Sequence, residues 1–178
     1  MSQESREEER RYEEAGRDEA KILDSRVLND PVPVLKPKAA VTATPDDSVL
    51  DVVKEMASKH CSCALIVEDE QLVGIFTERD ALTRVLSEGR DASGLTMREV
   101  MTPDPERLVL GDTLGFALHK MSVGSFRNLP IVDDRGLPAG VVSQQDGVKY
   151  LVGFFPSEII SQPPHSFEQR PPKSQYGG

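Results

Sequence analysis

Apolar positions recur along this chain at helix and strand spacing, and they do so twice in the same order. Val49, Val52, Val53 and Met56 stand at i, i+3, i+4 and i+7, which predicts an amphipathic helix. Leu114, Ala117, Leu118 and Met121 repeat that phase 65 residues on. A continuous apolar run at 64–67 predicts a buried strand, 68–71 a turn and 72–76 a second strand. Thr77 then opens a helix to about Ser87, stopped by Gly89. In the second stretch Thr113 opens the first helix, 129–132 is a strand, 133–136 a turn and 138–142 a strand. Ser143 opens a last helix to about Phe155, ended by Pro156. Gly74-Ile75-Phe76-Thr77-Glu78-Arg79-Asp80 returns as Gly140-Val141-Val142-Ser143-Gln144-Gln145-Asp146, 66 residues on. One extra residue in the second turn accounts for the difference from 65.

A repeat that keeps apolar phase and polar punctuation is one supersecondary unit used twice, each burying what the other cannot bury alone. The predicted class is α/β (α+β), with two β-α-β-β-α-type repeats at 38–98 and 99–157. Ser48 with Asp51 three residues later fits a capping box for the first helix. Pro103 and Pro105 predict an extended crossing between the repeats. Residues 1–37 read as a charged arm followed by a linker that Pro31, Pro33 and Pro37 keep extended. The arm reads equally as a helix docked by its last turns and as a disordered tail. Residues 158–178, rich in Pro, Gln and Ser, read as disordered.

Composition narrows the function. A net charge of −9 and no Trp disfavour a nucleic-acid binder, which needs clustered cations and stacking surfaces. No apolar run reaches bilayer length, so no membrane partner is expected. The opening residues lack the apolar stretch of a secretory signal, and the expected location is cytoplasmic. Cys61 and Cys63, the only cysteines, are too close in sequence to staple a fold, and only His60 stands near them. They are expected to pack, with no metal bound. No phosphate-binding Walker loop, zinc-protease helix or nucleophile elbow is present.

The repeated motif carries the chemistry. Each unit ends in an apolar strand, a Ser or Thr, two residues, and an Asp at a helix start. A helix N-terminus presents N–H groups and the positive end of its dipole, which suits a phosphate. The Thr77 or Ser143 hydroxyl can donate to a phosphate oxygen, and Asp80 or Asp146 can accept both hydroxyls of a ribose. Ile75 or Val141 offers an apolar wall for a base. The same spacing is also that of an N-cap with an acidic third residue, which needs no ligand.

The apolar helix, the strand, Gly-x-x-Thr/Ser-x-x-Asp and the connecting Val100-Met101-Thr102-Pro103 together resemble a tandem pair of CBS (cystathionine-beta-synthase) domains over about residues 38–155. The resemblance implies a pseudo-two-fold pair with two clefts that take adenosine-containing ligands. These are AMP, ADP or ATP, with S-adenosylmethionine or NAD as further members of the class. It implies that Thr77 and Asp80 with Thr102 line one cleft, and Ser143 and Asp146 with the stretch around Val41 line the other. It places Arg127 as a phosphate contact, and the matched Ser62 carries no charge, so unequal clefts are expected. It implies a homodimer and no catalysis. The expectation is a regulatory module that reports its ligand to another, unidentified protein. The rival readings are a dimerising scaffold with empty clefts and a small enzyme built on Cys61 or Cys63. The latter lacks a base and an orienting group.

Overall fold

The computed structural model describes residues 25–155. The acid-rich segment before Ser25 and the tail from Pro156 onward lie outside the described residues. Asp24–Tyr150 forms one compact unit, and of a second unit only 151–155 are described.

Seven strands and five helices are found among the described residues. In the first repeat β1 (Val41–Ala43) leads to α1 (Val49–Lys59), β2 (Cys63–Glu68) and β3 (Gln71–Thr77). Helix α2 opens at Glu78–Asp80 and continues as a π-helical stretch, Ala81–Leu86. A short turn, Ala92–Gly94, and α3 (Met97–Val100) lead into β4 (Thr102–Pro103). The second repeat has β5 (Leu108–Val109), α4 (Leu114–Gly124), β6 (Asn128–Val132), β7 (Pro138–Ser143) and α5 (Gln144–Val152).

The sheets run β1-β2-β3-β4 and β5-β6-β7. In each, a parallel lead strand joins an antiparallel hairpin, Val41 opposite Ala64 and Leu108 opposite Ile131. The hairpins share an irregularity at matched places, between Ile66 and Val67 and between Ile131 and Val132. The extra residue lies in the turns. Asp69 and Glu70, both at positive φ, close the first hairpin tightly, whereas the second needs a longer turn with Gly136 at φ 84°.

The uninterrupted apolar run of β2 has a physical reason: both faces of the strand are covered. Ala64 and Ile66 join Val49, Val52, Met56 and Phe76 in a core against the helices. Cys63 and Leu65 point the other way and pack with Ile75 and with Val132 of the second repeat.

Three expectations change. Ser48 makes no side-chain cap; its backbone bridges to Thr96, and the Val49 N–H donates to the Leu95 carbonyl. The proline-bearing segment is not an extended spacer. Ser25–Asn29 and Val32–Leu35 form 3-10 turns that bury Val27, Val32 and Leu35. They lie against α4, where a Cβ on Gly115 would stand 3.1 Å from the Leu28 carbonyl oxygen. Thus part of the expected arm is structure. Finally, α5 ends at Val152, before Pro156, and 151–155 close as a turn with Phe154 N–H on the Leu151 carbonyl at 3.1 Å.

Candidate functional site

The two motifs are built alike, and each is completed by chain from the other repeat. The edge strand beside β3 is β4, which pairs Thr102 with Ile75 and Pro103 with Gly74. The residue beside β7 is Lys38, whose N–H and carbonyl both bond to Val141 at 3.0 Å. The lead-in of each repeat therefore borders the other's motif. The motif glycines make room for this. A Cβ on Gly74 would stand 2.4 Å from Met101 Sδ, and one on Gly140 would stand 2.9 Å from the Lys38 carbonyl oxygen. The repeats also meet where β2 and β6 begin, beside the ends of the motif strands, through Ser62 Oγ to Asn128 Oδ1 at 3.3 Å.

Both helix starts are capped by their own acid. Asp80 Oδ2 accepts from the Thr77 N–H at 2.9 Å and from its hydroxyl at 2.7 Å, while the Asp80 N–H donates back to Thr77 Oγ1 at 3.3 Å. Asp146 repeats the pattern with Ser143 at 2.9, 2.6 and 3.2 Å. The cap reading of the sequence is thus realised in both. It uses one carboxylate oxygen and leaves Oδ1 for another partner. Both acids are nearly buried, at 8% and 9% exposure, so that second oxygen needs one.

The partners differ. Asp80 Oδ1 lies 3.3 Å from Arg84 Nε. Arg84 also donates to the carbonyls of Val100 and Met101 at 2.8 and 2.7 Å and to Thr102 Oγ1 at 3.0 Å. Asp146 Oδ1 instead accepts from Lys38 Nζ at 2.5 Å. Burial alone would push the Asp146 carboxyl up. The Lys38 ammonium and the Ser143 hydroxyl and N–H outweigh it and hold the group below the usual carboxylate range.

The structure brings Thr77, Asp80 and Thr102 together, the last through Arg84. It also brings Ser143 and Asp146 together. Val41 itself carries no exposed surface and packs in the core of the first repeat, while Ala40 beside it packs on the same cluster as Val141. The lead-in residue that reaches Asp146 is Lys38. Arg127 is exposed, its carbonyl accepts the Gln144 N–H at 2.8 Å, and Ser62 does the same for Glu78 at 3.1 Å. Arg79 extends to the Ser125 carbonyl at 3.5 Å, two positions from Arg127. Sequence reasoning missed Lys38 and Arg84. The signal for Lys38 was its place in the lead-in that corresponds to Thr102; for Arg84 it was the i+4 position after Asp80.

A cavity of about 540 Å³ opens at the other end of β2, lined by Thr42, Thr44, Val67, Asp69, Leu137 and Pro138 among others. It touches none of the motif residues. Burial, with Cys61 and Glu78 nearby, pushes the Cys63 thiol up to about 12, so it stays protonated. No cluster of three metal-ligating side chains occurs among the described residues, and no helix there is long and apolar enough to cross a membrane.

The family profile named "CBS domain" matches residues 27–87 and 97–153, the greater part of the chain. The chain belongs to the CBS domain family. Among curated relatives, the CBS domain-containing protein CBSCBSPB1 of Arabidopsis thaliana is 36% identical over 118 residues, 66% of this chain and 21% of that protein. The chain thus spans about a fifth of the length of that relative. Among solved structures, the CBS domain NE2398 is 31% identical with a TM-score of 0.63, covering 67% of this chain and 96% of the other. A CBS domain protein of Pyrobaculum aerophilum, PAE2072, solved in complex with AMP, shares the fold at a TM-score of 0.60 and 22% identity, over 65% and 88% of the two chains. So does the CBS domain pair of protein MJ0100, solved with 5′-methylthioadenosine and S-adenosyl-L-methionine, at 0.60 and 24%, over 67% and 97%. CBS pair proteins are regulatory modules.

Proposed function

We propose that this CBS pair is a non-catalytic sensor that binds an adenosine-containing ligand in a cleft between its repeats and passes the signal to another protein. The observation that supports it most is the capped acid with one oxygen left over. Oδ2 is held by the helix start, while Oδ1 points out of the cap and is met by a cation. A ribose with two adjacent hydroxyls can take that oxygen, and the lead-in strand of the other repeat closes over it. The AMP and S-adenosyl-L-methionine complexes of fold neighbours agree with this ligand class. Arg127, exposed at the start of β6, then serves phosphate. The mechanism is differential binding: a ligand touching both repeats favours one arrangement of repeats or subunits by its preference for it. Leu82 and Leu86 on α2, Val123 on α4 and Val148 on α5 are each more than half exposed, which supports a homodimer.

Calorimetry with adenosine, AMP, ADP, ATP, S-adenosylmethionine and NAD tests the reading. At least one binds at micromolar to millimolar strength and loses ten-fold or more when its ribose hydroxyls are removed or Asp146 becomes Ala, about 1.5–3 kcal/mol per charge-assisted bond. Arg127→Ala weakens phosphate-bearing ligands more than adenosine. Silence from all six ligands sinks the reading and leaves the scaffold.

A further inference from the structure

The two acids are matched in sequence and burial but not in what guards them, and this sets how many ligands the chain takes. The point rests on the functional reading above and refines it. In the first motif, Arg84 lies between Asp80 and Thr102, the two residues that a ligand in that cleft must touch. Its guanidinium is fixed by the Val100 and Met101 carbonyls and by Thr102 Oγ1, with Nε 3.3 Å from Asp80 Oδ1. These acceptors come from the chain crossing to the second repeat, so the side chain joins α2 to β4. Moving it would strip a cation from two backbone carbonyls and a nearly buried carboxylate at once. Arg84 stands in the π-helical stretch of α2, where the Thr83 hydroxyl donates to the Arg79 carbonyl at 2.8 Å.

Among the described residues, no guanidinium spans the second motif in this way. The position matching Arg84 is Tyr150, whose hydroxyl donates to Asp30 Oδ2 at 2.6 Å. The cation at Asp146 is Lys38, a flexible side chain, 61% exposed, with one hydrogen bond among the described residues. An exposed ammonium regains water when it lets go. It can leave Oδ1 to a ribose and turn to an anionic group of the same ligand.

We propose that the chain is a one-site receptor: the Ser143–Asp146 cleft takes the adenosine-type ligand, and Arg84 seals the Thr77–Asp80 cleft against it. Titration calorimetry of the full chain with AMP, and with S-adenosylmethionine in parallel, reads the stoichiometry. One ligand per chain is expected. Asp146→Asn should weaken that single site about ten-fold or more. Arg84→Met, which keeps the apolar stem and drops the guanidinium, should add a second binding event. Arg84→Lys, which cannot span the same acceptors, should do so more weakly, and melting curves confirm that both variants are folded. Two ligands per wild-type chain, or a site of undiminished affinity in Asp146→Asn, overturns the one-site proposal while leaving the sensor reading intact. If neither probe gives heat with wild type, and the wider panel is silent too, the sensor reading falls and takes this proposal with it.

Discussion

Replacing Gly140 by Ala should be the most damaging of the small substitutions in the motifs, because it attacks the exchange of lead-ins between repeats. Two costs add. Gly140 sits at φ 142°, a region L-residues rarely adopt, which costs about 1–3 kcal/mol. The new methyl also meets the backbone 2.9 Å away at the Lys38 carbonyl oxygen and the Pro37 ring at 3.2 Å from its Cβ. Relief requires Lys38 to move off β7, weakening its two 3.0 Å bonds with Val141, each worth about 1 kcal/mol net. The stiffer unfolded chain returns about 0.4–1 kcal/mol. The net loss is about 3 kcal/mol, or roughly 10 °C in melting temperature for a domain of this size. Three other glycines separate the terms. Gly74→Ala has no left-handed φ, and its closest contact is the movable Met101 Sδ at 2.4 Å, so about 1 kcal/mol is expected. Gly89→Ala has φ 64° in open space and should lose about 1 kcal/mol from backbone strain alone. Gly94→Ala meets nothing within 4 Å and should be near neutral. Urea denaturation of the four variants, with amide exchange at Lys38 and Val141, gives the answer. If Gly140→Ala is no worse than Gly94→Ala, the lead-in does not hold β7 as described.

The Asp146 carboxyl, depressed in the folded state, adds stability that is complete above the ordinary carboxylate pKa of about 4 and is lost as pH falls through its lower folded value. Asp146→Asn should therefore flatten the acid limb of a stability–pH curve below the ordinary carboxylate range, and an unchanged limb counts against the Lys38 and Ser143 contacts. A chain starting at Lys36 should be several kcal/mol less stable than one starting at Asp24, since Val27, Val32 and Leu35 are buried at about 1.5–3 kcal/mol each at most; equal denaturation midpoints would show that the two turns contribute little. Sedimentation at micromolar concentration should give a particle of twice the 19.6 kDa chain mass, and Leu86→Glu should shift it toward the monomer.

The helix, strand, strand, helix order of both repeats could be read along the chain because those elements depend on neighbours in sequence, whereas the short helix Met97–Val100 could not. Apolar spacing marks α1 and α4, the unbroken run at Ala64 marks a strand covered on both faces, and Thr77 and Ser143 mark helix starts that their own third residues cap. The pairing of each hydroxyl with its acid was legible for the same reason: the partners are three residues apart. Tertiary structure decided what meets the remaining oxygen of Asp146, whereas Asp80 finds Arg84 four residues on and tertiary structure supplies only the acceptors that hold that side chain. Lys38 lies 108 positions from Asp146, and no local period connects them. It arrives because Gly140 lets the first lead-in pair with β7. Val41, a few residues further on, enters β1 and the core instead of the cleft. Ser48 lost its expected cap to the chain around Leu95 and Thr96, and Pro31 to Pro37 turned inward because apolar side chains between them found α4. Local chemistry specifies which groups are offered. Long-range pairing specifies which of them are occupied, and with them whether Asp80 and Asp146 stand open to a ligand or closed.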